Sequence, residues 1–142
     1  MDIEPTLTIQ TELDQDGILQ LRSRLVEYNR RFVPEMNYLP LLLSLKNAEQ
    51  QLVGGLFGQM YHSWLFIDLL WVADDVRGRG YGRRLIGEAE VQAGKHGCHS
   101  IWLDTFSFQA RGFYEKQGYA VFAELPNYPG EHTRYFLSKK LS

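Results

Sequence analysis

The run Val76-Arg77-Gly78-Arg79-Gly80-Tyr81-Gly82-Arg83-Arg84 sets three alternating glycines and four arginines between a hydrophobic strand and an amphipathic helix. The first N–H groups of a helix lack internal partners and together carry roughly half a positive charge. Glycines let a bulky anion approach those donors, and Arg77, Arg79, Arg83 and Arg84 add full charges. The chemistry such a turn offers is a cradle for a pyrophosphate. A dinucleotide fingerprint is excluded, because G-x-G-x-x-G counted from Gly78 ends on Arg83. A Walker A loop is excluded too, since Gly87 is followed by Glu88. The plain alternative is a tight strand-to-helix turn with surface arginines. A second feature is Asp68, a carboxylate inside the apolar run Trp64–Val72, costly there unless paired or facing a cleft. Strand alternation puts residues 66, 68, 70 and 72 on one face.

The elements that must position these groups follow from periodicity and turn signals. A first strand is expected at residues 6–11. Asp14 or Asp16 then caps a helix with apolar Ile18, Leu21, Leu25, Tyr28 and Phe32 on one buried face, ended by Pro34. Strands are expected at residues 39–45, 52–61 and 64–72, with Gly54-Gly55 marking a bulge or a close backbone approach. The glycine loop opens a helix over 80–93. A strand at 100–105, a helix over 107–117 stopped by Gly118, and strands at 119–124 and 133–139 complete the chain. The order β-α-β-β-β-α-β-α-β-β predicts an α+β fold, an α/β sandwich with a central, mostly antiparallel sheet.

The 142 residues suit a single domain over 1–142, and the composition (44% hydrophobic, 23% charged) is that of a globular protein. No apolar run approaches the ~20 residues that span a bilayer, and the N-terminal residues lack a basic region followed by a hydrophobic one, so cytoplasmic residence without membrane attachment is expected. Cys98 is the only cysteine, which rules out an internal disulfide. A net charge of −2 argues against nucleic acid as partner, even though the arginine-glycine run could be read as RNA-binding. His96-Gly97-Cys98-His99 lacks the remaining ligands of a tetrahedral site, so no metal is expected.

Two motifs carry a resemblance. Arg77-x-x-Gly80-x-Gly82, after a strand and opening a helix, resembles motif A (Q/R-x-x-G-x-G/A) of the GNAT superfamily of acetyl-CoA-dependent N-acetyltransferases. The stretch from Gln109 to Tyr119, with Ala110, Phe113, Tyr114, Lys116, Gly118 and Tyr119, is similar to that family's later signature, A-x-x-F/L-Y-x-K-x-G-F/Y. The order of elements fits along nearly the whole chain. The resemblance implies a mixed, mostly antiparallel twisted sheet of about seven strands flanked by about four helices.

It further implies acetyl-CoA as cosubstrate and no metal. The pyrophosphate would lie on Arg77, Gly78, Arg79, Gly80, Tyr81, Gly82 and Arg83. The pantetheine arm would pair with the backbone of Leu70 and Val72 where their strand splays from its neighbour. Many relatives carry Asn where this chain has Ser107, so that contact would be made differently here. Tyr114 would protonate the leaving thiolate, or else be a core tyrosine. An alkyl ammonium with a pKa near 10 must lose a proton, and Asp68 is the candidate base or amine anchor, the alternative being a structural hydrogen-bond acceptor. In some relatives a glutamate serves as base at the place of Phe66; Glu35, Asp104 and His132 are weaker candidates. The acceptor pocket would draw on Glu35, Tyr38, Tyr128, Glu131 and His132, an aromatic and acidic set that suits a cationic amine of a small molecule or peptide. A homodimer is expected. A CoA-binding module without turnover remains open as an alternative.

Overall fold

The computed structural model describes residues 3–33 and 38–141, and the chain divides into two compact units, Met1–Met36 and Asn37–Ser142. In the first, helix α1 (Gln15–Asn29) begins where the Asp14 carboxylate accepts a hydrogen bond from Gly17 N–H at 2.9 Å, the expected N-cap. It ends at Asn29, earlier than expected, with Arg30 N–H closing on the Val26 carbonyl. Residues 6–11 form no strand, because a strand needs a ladder partner and these residues have none among those described. The apolar stripe of α1 buries no side chain within this unit, whose described residues hold a single helix.

The second unit holds a six-stranded sheet in the order β1-β2-β3-β4-β6-β5. Its strands are β1 (Leu39–Lys46), β2 (Leu52–Tyr61), β3 (Trp64–Val72), β4 (Ser100–Phe106), β5 (Ala120–Leu125) and β6 (Arg134–Lys140). Only β3–β4 is parallel; its crossover carries α2 (Tyr81–Lys95), and α3 (Arg111–Lys116) links β4 to β5. The described residues thus contain six strands and three helices, an α+β fold of the expected class with slightly fewer elements than the expected seven and four. α2 lays Leu85, Ile86, Ala89 and Ala93 on the sheet face formed by Leu56, Met60, Leu65, Ile67, Ile101, Leu103 and Leu137. Each fully buried Leu or Ile there contributes roughly 1.5–3 kcal/mol. α3 starts at Arg111 rather than 107, because the preceding turn is tied off by side chains. The Gln109 amide oxygen accepts Phe106 N–H at 2.9 Å, and Thr105 Oγ1 accepts Ala110 N–H at 3.4 Å.

Backbone packing explains the glycines of β2. A Cβ on Gly55 would stand 2.8 Å from the Leu43 carbonyl oxygen, and one on Gly58 2.8 Å from that of Phe66. Of the two alternatives expected at Gly54-Gly55 the close approach is present, while the β1–β2 bulge falls one residue earlier, at Val53, between Leu45↔Gly54 and Lys46↔Leu52.

A second irregularity sits in β3. Phe57 pairs with Leu69 and Gly58 with Ile67, so Asp68 is an extra residue bulged out of the ladder. The bulge reverses the phase of alternation. Leu65 and Ile67 face the core before it, and Leu70 and Val72 pack against the core after it. Phe66 lies on the other face, stacked on Trp102 at 4.2 Å. Residues 66, 68, 70 and 72 therefore do not share one face as simple alternation would have it.

Candidate functional site

β3 and β4 are paired from Trp64↔Ser100 to Ile67↔Leu103 and no further. Beyond the bulge β3 stays bound only to β2, through pairs that run on to Gly54↔Val72. Ala73 N–H bonds to the Val53 carbonyl at 2.8 Å. Antiparallel ladders alternate, so if residue 73 points its peptide groups at β2, residues 72 and 70 point theirs the other way. The backbone of Leu70 and Val72 therefore faces the gap that β4 has left. The Val72 carbonyl is already used, accepting from Arg77 Nε at 2.9 Å.

That hydrogen bond, together with an Arg77–Asp74 ion pair at 3.0 Å, ties the end of β3 to the glycine loop through a short 3-10 turn, Asp74–Val76. Arg77 is thus a brace for the loop. Gly78 and Gly80 adopt φ of +78° and +83°, the left-handed region that a side chain would strain. Gly80 caps α2 with no side-chain hydrogen bond, and the first helical bond is Arg84 N–H to the Gly80 carbonyl at 3.0 Å. The N–H groups of Tyr81, Gly82 and Arg83 are left as the unpartnered donors of the helix start. Arg79, Arg83 and Arg84 are exposed around them. The stretch 70–83 thus runs from a bare strand edge to unpartnered helix donors flanked by Arg79, Arg83 and Arg84, an arrangement that suits a diphosphate with an extended amide-bearing tail.

α3 lies against the start of α2: a Cβ on Gly82 would meet the Phe113 ring at 3.3 Å. The next residue, Tyr114, is buried, and its hydroxyl makes no hydrogen bond among the described residues. Among the described residues no fully enclosed side-chain oxygen or nitrogen is left unpaired, so this hydroxyl is not completely sealed from solvent. Burial, helped by the charge of Asp104, pushes its pKa up to about 12, so the phenol keeps its proton through the neutral range. Tyr119 provides the contrast. Its hydroxyl donates to Glu90 at 3.2 Å beside a Lys139–Glu90 ion pair of 2.7 Å, a structural knot between α2 and β6.

Asp68 is exposed at the bulge, where β3 leaves β4, and no side chain among the described residues pairs with it. Ser107 is occupied: its hydroxyl lies 3.2 Å from His132 Nδ1 and accepts Thr133 N–H at 3.1 Å. Tyr128 and His132 stand on the same β5–β6 loop and join an aromatic row. Phe106 stacks on Tyr128 and on Phe108, and His132 meets Phe108 edge-on. Tyr38 is exposed ahead of β1, and Glu35 lies outside the described residues. Sequence reasoning missed Phe106, Phe108 and Arg134, and ranked Asp104 low. The only signal was a lone acid in the apolar strand Ser100–Phe106, with its partner 30 residues away. Among the described residues no group of three His, Cys, Asp or Glu could hold a metal ion, and no helix is long and apolar enough to cross a membrane.

A family profile described as Acetyltransferase (GNAT) family matches residues 11–119. The chain is 45% identical over 92 residues to blasticidin-S acetyltransferase of Streptomyces morookaense, covering 64% of this chain and 68% of that protein. Its structure is similar to a crystal structure of an acetyltransferase from Bacillus cereus, with TM-score 0.84, 34% identity, and coverage of 94% and 98% of the two chains. The fold is also that of an aminoglycoside 6'-N-acetyltransferase crystallised with coenzyme A, with TM-score 0.64, 20% identity, and coverage of 94% and 97%.

Proposed function

The chain belongs to the GNAT acetyltransferase family, and on that premise we propose that it transfers the acetyl group of acetyl-CoA to a primary amine of a small molecule, its 142 residues serving one transferase domain. The observation that carries this reading is the opened β3–β4 seam running without a break into the glycine loop. Bound acetyl-CoA would supply an acetyl thioester; transfer forms an amide C–N bond, breaks the C–S bond and leaves a thiol. The unpartnered N–H groups of Tyr81, Gly82 and Arg83 would hold the pyrophosphate, with Gly78 and Gly80 keeping the approach open. Arg79, Arg83 and Arg84 add charge. The free peptide groups of Leu70 and the free N–H of Val72 would align the pantetheine arm.

Tyr114 holds a proton at its hydroxyl, available to the departing sulfur. Asp68, unpaired among the described residues, would anchor the ammonium and take its proton through solvent. The aromatic row with Tyr128 and His132 would receive the rest of the acceptor. The blasticidin-S and aminoglycoside enzymes make a cationic small-molecule antibiotic the first acceptor class to test. The test is thiol release from acetyl-CoA against a panel holding blasticidin S, aminoglycosides, polyamines, amino acids and peptides. Turnover with a small amine is expected. Calorimetric binding of CoA without thiol release from any amine would favour a binding module, and no binding at all would sink the proposal.

A further inference from the structure

Arg134 opens β6 directly opposite Phe106, the last residue of β4. Its guanidinium forks onto Asp104, with Nε to Oδ1 at 3.1 Å and Nη2 to Oδ2 at 2.9 Å. The remaining arm, Nη1, donates to the Tyr128 hydroxyl at 3.2 Å. Three rings surround the cation, with centroids 5.0 Å (Phe136), 5.1 Å (Tyr128) and 5.6 Å (Phe106) from its central carbon. The two ionised side chains are 26% and 16% exposed, so this pair is largely shielded from water and worth more than a surface bridge. Only a planar fork can meet a carboxylate bidentately and still stack on rings; a lysine would lose that geometry.

The position of the cluster gives it a consequence for the site. Asp104 is the first β4 residue past the last β3–β4 pair, and Tyr128 belongs to the loop between β5 and β6. We propose that Arg134 is a positioning residue for the acceptor. It clamps the loop carrying Tyr128 and His132 to the end of β4, and so sets the wall against which the amine-bearing molecule is held. It also neutralises Asp104, leaving Asp68 as the unpaired carboxylate at the start of the open seam. The role rests on the acetyl-transfer reading above.

The experiment is steady-state kinetics of Arg134→Gln and Arg134→Lys with acetyl-CoA and the best amine of the panel, beside CoA calorimetry and thermal melts. Arg134→Gln should raise KM for the amine on the order of ten-fold or more, as expected of a misplaced positioning wall, while CoA affinity stays near wild type. Arg134→Lys keeps the charge without the fork and should recover only a small part of the loss. Tyr128→Phe, which removes one hydrogen bond from an exposed ring, should raise the amine KM in the same direction by a smaller factor. An unchanged amine KM in Arg134→Gln, or in Tyr128→Phe where the Arg134 variants do not fold, overturns the role. Parallel losses of amine and CoA affinity would overturn it as well, as general loosening. A wild-type protein that neither binds CoA nor releases thiol would overturn the transferase reading and this role together.

Discussion

β3 treats its two halves differently. Residues 64–67 are held on both sides, by β2 and by β4, and their rings close over the seam, as Phe66 does on Trp102. Residues 69–72, past the bulged Asp68, are held by β2 alone and leave main-chain groups facing an opening. The closed half is apolar on both faces and buries Leu65 and Ile67 almost completely. The open half begins with an unpaired acid and ends on the braced glycine loop. One strand thus anchors the core and offers a bare edge, and a single bulge separates the two tasks. An unpaired edge in a sheet interior invites another set of amide groups, which is how extended ligands and peptides are held by sheets.

If the open half does chemistry and the closed half does not, substitutions should divide accordingly. The largest effect is expected from Tyr114→Phe, which should lower kcat by roughly 10²–10⁴ if its proton reaches the leaving group, measured as thiol release at saturating acetyl-CoA. Full turnover would return Tyr114 to a packing role. Asp68→Asn should cost about 10²-fold in kcat/KM for the amine, with the melting temperature unchanged. Gly80→Val places a branched side chain at φ +83° in the donor loop. A strain of about 1–2 kcal/mol and a blocked approach should weaken CoA binding about ten-fold by calorimetry. The smallest functional effect is expected at the ion pair that ties α2 to β6. Lys139→Met removes the ion pair with Glu90 and should lower stability by about 2 kcal/mol in a denaturant melt, with kcat/KM intact.

What could be read in advance was local. The glycine loop and the Asp14 cap are encoded within a few residues, so spacing reveals them, whereas Tyr114 was marked only by the resemblance of residues 109–119 to a family signature. The edge at Leu70 and Val72 was legible only by counting back from the loop. The bulge at Asp68 was hidden because β3 is apolar on both faces, so a shift of phase leaves no break in the pattern. The Arg134–Asp104 fork joins residues 30 apart in the chain on neighbouring strands, a pairing that register alone decides. The expected strand at residues 6–11 has the right alternation, yet alternation cannot supply a partner.

The extra residue in β3 can be viewed as an insertion. Read without position 68, the strand alternates cleanly: Ile67 inward, Leu69 outward, Leu70 inward, Trp71 outward, Val72 inward. Deleting that one codon would therefore leave every neighbouring side chain on its present face. The shortened sheet should melt at an equal or higher temperature, while the fork beside β4 would tend to zip shut.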